Sequence, residues 1–193
     1  MSLYELLLFI HVGATVIWVG AGFLSLVLGT SYARNEDEPA MQRFLKDQER
    51  LALRLFMPSA LVVFLMGLAL VIESEAWGFD QLWIIIGLIG FAATFVTGLF
   101  MIKPASERIG AAMERSGGRL TPEIRTDIRK LIVKSRVDYV VLTLVIFDMV
   151  AKPIGDDVAV LIAMAAILVA GVGYVVTRLK AIDTEAGRVP AAA

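Results

Sequence analysis

The first charged residue of the chain is Glu5, and no lysine or arginine precedes Arg34. The apolar block between them is too long for the core of a signal peptide, so we interpret it as a retained membrane helix. Similar blocks recur along the chain, which is 58% hydrophobic and has a mean hydropathy of +0.77. Soluble domains are about half apolar. The sequence therefore predicts an integral membrane protein.

Five segments approach the length of about 20 apolar residues that a membrane crossing needs. They lie at roughly 4–31, 52–72, 82–102, 137–152 and 157–177. The predicted fold class is all-α, a polytopic membrane protein with a five-transmembrane-helix bundle. The fourth segment departs most from this pattern, because Asp148 interrupts it and Asp138 lies near its start. The alternative is a four-span protein in which this segment is re-entrant.

The basic residues indicate the orientation. Of 18 lysines and arginines, five lie between residues 34 and 54, nine between 103 and 136, and three after 177. With five spans, these three groups fall on one side and only Lys152 falls on the other. Cytoplasmic loops are enriched in basic residues, so we expect the N-terminus outside and the C-terminus in the cytoplasm. A four-span arrangement would place one basic cluster outside, which favours five spans.

Two helices are expected to extend from the spans into the cytoplasm. Asp37 is a candidate N-cap with Pro39 in the first turn, and that helix should continue into the second span with a bend at Pro58. Thr121 is a candidate N-cap for a helix that continues into the fourth span. We expect one domain at 1–180, with cytoplasmic helical extensions near 39–54 and 104–136, and a flexible C-terminal tail at 181–193.

Small and polar residues form a stripe on two of the predicted spans, because residues three and four apart share one face of a helix. Small residues let membrane helices approach closely, so the simplest interpretation is that the two stripes are helix-packing surfaces. The alternative is that these surfaces also line a cavity. The stripe residues are Thr15, Trp18, Gly22, Ser25 and Gly29, with His11, in the first span, and Trp83, Gly87, Gly90, Thr94 and Gly98 in the third.

Charged residues share one face of the fourth predicted span, namely Lys134, Asp138, Asp148 and Lys152. The last two are four residues apart, so they are placed to form an ion pair near the outer surface. An ionisable group inside a membrane is costly and often marks a functional site. Asp148 and Lys152 are therefore either a structural ion pair or a proton or cation site.

His11 is the only histidine of the chain, and there is no cysteine. A multi-histidine zinc site and thiolate chemistry are therefore excluded within one chain. Counting from the nearest outer charges places Met66, Met149 and Met164 at a similar depth to His11. Histidine and methionine together bind copper or haem iron, so these four residues are a candidate metal site. The alternative is a buried histidine that forms a hydrogen bond with a neighbour.

The sequence does not contain the motifs of nucleotide binding or of nucleophilic catalysis. There is no phosphate-binding loop, no dinucleotide fingerprint and no nucleophile elbow. Basic and aromatic residues are not interleaved as in nucleic-acid-binding proteins, so no nucleic-acid partner is expected. The expected partners are the lipid bilayer and, through the glycine-rich faces, a second copy of the chain or another membrane protein.

The arrangement of His11, Trp18, Gly20 and Phe23 in a first span resembles two bacterial membrane families. These are the CopD-type copper-resistance proteins and the haem-binding HemJ-type protoporphyrinogen oxidases. The layout of the whole chain is most similar to a bacterial family of small integral membrane proteins, a domain of unknown function. The resemblance implies His11 as the cofactor-binding residue, haem b or copper as the cofactor, and a multi-pass location in the bacterial plasma (inner) membrane. This chain lacks the further histidines of the related haem and copper proteins.

Three classes of function follow from these patterns. The first, which we favour, is non-enzymatic binding or passage of a metal, a proton or a small solute at a site around His11 in the outer half of the membrane. The second is a haem-linked redox membrane protein. The third is a structural or assembly subunit whose stripes bind a partner.

Overall fold

The computed structural model describes residues 1–35 and 37–186, and these residues form helices, turns and loops without a β-strand. The α-helices are α1 (Leu3–Asn35), α2 (Glu38–Leu51), α3 (Met57–Glu73), α4 (Leu82–Thr97), α5 (Lys103–Arg115), α6 (Pro122–Ala151) and α7 (Val158–Ala186). Two π-helical turns, π1 (Ala52–Phe56) and π2 (Gly98–Ile102), connect α2 to α3 and α4 to α5. The all-α class predicted from the sequence is confirmed.

Within the described ranges, four helical rods are long and apolar enough to cross a membrane: Leu3–Asn35, Glu38–Glu73, Leu82–Arg115 and Val158–Ala186. They contain four of the five predicted spans. The remaining predicted span, 137–152, lies in the second half of α6. Helix α6 is not one of the four membrane-length rods, because charged residues, among them Asp138 and Asp148, flank its apolar part.

The rods pack side by side. Helix α1 packs against α3 and α6, and α6 also packs against α4 and α7. The loops 74–81 and 152–157 lie together at one end, which we call the loop end, since Lys152 contacts Trp77 and Trp83 there. The opposite end, called the basic end, is formed by α2, α5 and the first half of α6. Large apolar side chains cover the outside of the bundle, as Phe9 (75% exposed) and Val169 (70%) illustrate. Such a surface suits lipid.

The best-packed part of the molecule is at the basic end. Met41 of α2 and Met113 of α5 are each only 1% exposed. They belong to an apolar cluster with Leu45, Ile109, Leu120, Ile124 and Ile128. The Glu38 carboxylate accepts a hydrogen bond of 2.8 Å from the backbone N–H of Leu120, which links the start of α2 to the start of α6. This cluster holds the helical extensions against one another.

The helix starts agree with their sequence signals. The Asp37 side chain accepts a hydrogen bond from the N–H of Ala40, and the Thr121 side chain accepts one from the N–H of Ile124. Each satisfies a backbone donor of the first turn that has no partner within the helix. The connection between α5 and α6 turns at Gly117 and Gly118, which have φ angles of 67° and 84°. Residues with a side chain rarely adopt such φ angles, so glycine is suited to both positions.

The expected bend at Pro58 takes the form of a π-helical turn just before the proline. In π1 the N–H of Met57 donates to the carbonyl of Ala52, and in π2 the N–H of Lys103 donates to the carbonyl of Gly98. Proline has no N–H and its ring clashes with the carbonyl four residues earlier in an α-helix. The wider turn makes room for the rings of Pro58 and Pro104, each of which is the second residue after its π turn.

The C-terminal part of the chain is helical further than the predicted domain boundary at residue 180. Residues 181–186 of the predicted flexible tail continue α7. Residues 187–193 lie outside the described residues.

Candidate functional site

His11 is held between α1 and α3. Its Nδ1 lies 2.9 Å from the carbonyl oxygen of Val63, and because a carbonyl only accepts, Nδ1 carries the proton. The Thr15 hydroxyl donates to the carbonyl of His11 over 2.8 Å. The ring also lies close to Gly67, where a Cβ atom would be 3.2 Å from its Cε1. The edge of the ring that contains Nδ1 and Cε1 therefore packs against α3.

Of the three candidate methionine ligands, Met66 lies on α3, the helix that His11 contacts, and the other two lie on α6 and α7. Met66 is half-buried on α3, next to Gly67. Met149 of α6 packs against Gly87 of α4, where a Cβ atom would overlap its terminal methyl group. Met164 is buried on α7, whose neighbour is α6. The contacts of His11 are with α3, so they do not bring Met149 of α6 or Met164 of α7 to it.

Packing occupies the side of His11 that faces α3. In the part of the chain that the structure describes, no three side chains of His, Cys, Asp or Glu come together as metal ligands. Two cavities, of about 550 and 920 Å³, open elsewhere in the bundle, and His11 lines neither of them. Val63 uses one ring nitrogen and Gly67 closes against the ring. The histidine therefore takes part in a helix contact and lines neither of these two cavities.

The predicted ion pair between Asp148 and Lys152 is wrong. Asp148 is completely buried, and neither of its carboxylate oxygens has a hydrogen-bond partner among the described residues. Lys152 ends α6 in a left-handed conformation with φ 48°, and its ammonium group lies 4.1 Å from the ring centroid of Trp77 and 5.2 Å from that of Trp83. Because α6 ends there, the spacing of four residues no longer directs the two side chains to one face.

The stripe residues of α1 contact several helices. Trp18 packs against Phe91 of α4 with ring centroids 5.5 Å apart. Gly22 leaves space for the Tyr139 hydroxyl of α6, and Ser25 accepts a hydrogen bond of 2.9 Å from Gln48 of α2. Further along, Gly29 faces the ring of Phe44. This side of α1 therefore lies toward the interior of the bundle.

The stripe residues of α4 lie toward α6. Trp83, Gly87 and Thr94 are buried, and Gly90 packs against Val145, whose methyl group a Cβ atom would overlap. At the far end, no neighbouring atom of the described chain lies within 4 Å of the Cβ position of Gly98. The stripe therefore leads from a close helix contact into open space.

That open space is a cavity of about 550 Å³ near the basic end. Residues of α1, α2, α3, α4, α5 and α6 and both π turns line it. The stripe residues that line it are Trp18, Gly22, Ser25 and Gly29 from α1 with Thr94 and Gly98 from α4. The two stripes therefore face one common space.

Two acidic groups and a phenol face this cavity without a partner in the described part of the chain. Asp138 is only 8% exposed and lines the cavity, and it makes no hydrogen bond or ion pair among the described residues. The hydroxyl of the adjacent Tyr139 also makes no hydrogen bond there. At the mouth, Lys46 pairs with Glu114 and Lys103 with Glu107, each over 3.8 Å, whereas Glu49 has no such partner within the described ranges. The charged residues of the lining that have no partner in the described part of the chain, Asp138 and Glu49, are therefore both acidic.

The sequence identified Asp138 only as a charge near the start of a span and on its charged face, and it missed Tyr139, Gln48 and Glu49. Gln48 and Glu49 occur in an amphipathic water-side helix, where polar residues are ordinarily solvated. The chain offers one signal for Tyr139, its position beside an aspartate within an apolar segment. Only the packing of α2 and α5 over the ends of α1 and α4 brings these residues to one cavity.

Comparison with known proteins gives one family match. No curated protein and no solved structure matches the chain. A family model described as "Predicted integral membrane protein (DUF2269)" matches residues 5–153, which is more than half of the chain. The match includes α1 from Glu5 onward, α2 to α6 and every residue that lines the cavity. The chain therefore belongs to the DUF2269 family of predicted integral membrane proteins.

Proposed function

We propose that this membrane protein binds or passes a small cationic solute, without converting it chemically, in the cavity at the basic end. We further propose that it spans the bacterial plasma membrane five times, with its N-terminus outside and its C-terminus in the cytoplasm. The proposal keeps the class of function favoured by the sequence and moves the site from His11 to Asp138. The observation that carries it is Asp138, a buried residue whose side chain has no partner among the described residues and which lines a cavity of about 550 Å³.

The packing of α6 supports a fifth crossing. The apolar part of the helix lies against three of the membrane-length rods. Tyr139 is next to Gly22 of α1, Val145 is next to Gly90 of α4, and Val140 is 3.0 Å from the Cβ position of Gly171 on α7. The helix is unbroken from Pro122 to Ala151, whereas a re-entrant segment would turn back within the bundle.

The distribution of charge supports the orientation. The 18 basic residues include 14 in the segments 34–54 and 103–136, and these segments form the basic end. Cytoplasmic segments near membrane helices carry an excess of lysine and arginine. The basic end is therefore assigned to the cytoplasm, and the cavity opens on that side.

The electrostatics of the lining support a cationic ligand. An ionised carboxylate without a partner is unfavourable in a site of low dielectric constant, and a cation compensates the charge. Both lysines of the lining are already paired with glutamates, so they do not neutralise Asp138. Aromatic rings of Trp18, Phe56 and Tyr139 also line the cavity, and aromatic faces attract ammonium groups.

Charge-selective modification of a cysteine tests this proposal, because the natural chain has no cysteine. Ser135 lines the cavity and lies one turn before Asp138. We expect Ser135→Cys, in reconstituted protein, to react faster with a trimethylammonium methanethiosulfonate than with the sulfonate reagent, relative to their rates with free thiol. A blocked cysteine, or a preference for the sulfonate, would contradict the proposal.

Two matched variants control for access. Thr126→Cys is on the water-facing part of the same helix and should react with both reagents without a preference for the cation. Val16→Cys replaces a side chain that is 66% exposed on the apolar outside of α1. It should react with neither reagent, because thiolates do not form in the hydrocarbon region.

A further inference from the structure

We propose that the cationic solute is an amphiphile whose ammonium group lies at Asp138 and whose alkyl chain lies in an apolar groove between α3 and α4. This inference rests on the proposed function and names the chemical class of its ligand. Both the position of the groove and its shared border with the cavity support it.

The groove has a volume of about 920 Å³. Among the described residues, its lining contains no charged or hydrogen-bonding side chain. The lining residues are Leu53, Met57, Pro58, Leu61, Phe64, Leu68, Leu88, Phe91, Ala92, Phe95 and Val96. The lined part of the α3 rod, from residue 53 to 68, extends for about 22 Å at the rise of an α-helix. That length suits a long alkyl chain.

The groove exists because α3 and α4 are held by different partners. Helix α3 packs against α1, and α4 packs against α6. The two helices touch through the stacked rings of Phe64 and Phe91, whose centroids are 5.4 Å apart. Leu53 of the π1 turn and Pro58 line the end of this gap that is nearer the basic end. The side of the bundle is therefore open to lipid between these two helices.

The groove borders the cavity, because Leu53, Met57 and Phe95 line both spaces. A molecule that extends past these three side chains would occupy both spaces at once. The two spaces differ sharply in chemistry, since the groove is apolar and the cavity is lined by the buried residue Asp138. A single ligand that satisfies both has a cationic head and an apolar chain.

A cation is favoured over an anionic or neutral lipid head group. The acidic side chains Glu49, Glu107, Glu114 and Asp138 line the cavity against the two lysines Lys46 and Lys103. An anionic head group would lie beside Asp138, while both of these lysines are already paired with glutamates. The shared border of the groove with this acidic cavity also distinguishes the proposal from a second copy of the chain, whose apolar helices would fill only the groove.

Photolabelling in lipid nanodiscs tests the inference. The probe is a long-chain primary amine with a diazirine near the end of its chain, and the matched control is the carboxylate with the same chain and diazirine. We expect the amine to label peptides from the groove segments 57–68 and 88–96 several-fold more than the carboxylate does. Asp138→Asn should reduce this labelling to the level of the carboxylate.

A second variant tests the position of the chain. Ala92 is small and lines the groove, so Ala92→Phe should fill it and reduce amine labelling several-fold. Ala92→Leu is a milder variant if the phenylalanine impairs folding. Labelling that is equal for amine and carboxylate, or that is unaffected by both Asp138→Asn and the Ala92 variants, would overturn the inference.

The two proposals fail separately. If Ser135→Cys retains its preference for the cationic reagent while photolabelling shows no dependence on Asp138, the amphiphile is excluded and the solute-binding function stands. If the cysteine also shows no preference, the proposed function fails together with the inference.

Discussion

The ammonium group of Lys152 lies 4.1 Å from the ring centroid of Trp77, although the buried carboxylate of Asp148 is only four residues earlier and has no hydrogen-bond partner among the described residues. Lys152 is the first residue beyond α6 and adopts a left-handed conformation. The end of the helix therefore separates two opposite charges that its continuation would have paired. Lys152 joins the loops of the loop end instead.

This arrangement predicts that Asp148 and Lys152 are energetically independent. Lys152→Met should lower the free energy of unfolding by about 0.5–2 kcal/mol, the range of a cation–π contact. In combination with Asp148→Asn, the two effects should add within about 0.5 kcal/mol. Denaturation of the single and double variants in detergent measures the coupling. A coupling energy above about 1 kcal/mol would indicate an ion pair and contradict the observed geometry.

Trp77 supplies the positive control for that measurement. Trp77→Leu removes the ring below the ammonium group. In this background Lys152→Met should cost clearly less than in the natural chain, because the cation–π contact is already lost. Equal costs in both backgrounds would show that the contact contributes nothing.

His11 is predicted to stabilise helix packing without serving the cavity. His11→Ala removes the hydrogen bond to Val63 and should cost about 1 kcal/mol of unfolding free energy. It should leave the charge-selective reaction of Ser135→Cys unchanged. Phe9→Ala is the control, since that side chain is 75% exposed and should change stability by less than about 0.5 kcal/mol. Loss of the charge selectivity in His11→Ala would connect the histidine to the site.

Gly90 is predicted to be essential for the contact between α4 and α6. A Cβ atom there would overlap the Cγ2 methyl group of Val145, so Gly90→Ala should destabilise the protein by about 1–3 kcal/mol. Val145→Ala in the same chain should recover part of the loss. At Gly173 no neighbouring atom of the described chain lies within 4 Å of the Cβ position, and Gly173→Ala should be neutral or stabilising. Equal effects at both glycines would contradict the observed packing.

Single cysteines also test the number of spans. With five spans, Gly78→Cys and Gly155→Cys react with an impermeant maleimide added to intact cells, whereas Gly118→Cys reacts only after lysis. In the four-span alternative, Gly155 lies on the same side as Gly118. Labelling of Gly155→Cys in intact cells therefore supports the fifth crossing, and labelling of Gly118→Cys there would contradict the orientation.

The local features of the fold follow from the sequence. Asp37 and Thr121 cap helices because an oxygen-bearing side chain precedes a proline-containing first turn. The membrane helices follow from uninterrupted apolar length. At Pro58 the sequence predicts a bend but not a π turn, because a proline dictates a lost hydrogen bond and not the way in which the helix accommodates it.

The site depends on contacts between distant segments. A spacing of four residues predicts an ion pair at Lys152, and the end of α6 one residue earlier removes it. Asp138 lies near the start of an apolar span in the sequence, and in the structure it lines a cavity together with residues of α2 and α5. No local sequence pattern predicts how the helices α2 and α5 pack over the ends of α1 and α4.

The charge at Asp138 is central to the proposed function. The most direct measurement is the ratio of cationic to anionic modification rates of Ser135→Cys at about pH 8, where thiolates begin to form, with and without Asp138→Asn. A carboxylate about 4 Å from a unit charge contributes about 1 kcal/mol even in water. We predict that Asp138→Asn lowers the ratio about tenfold, which corresponds to about 1.4 kcal/mol. An unchanged ratio would show that Asp138 does not select the solute and would contradict the proposed function.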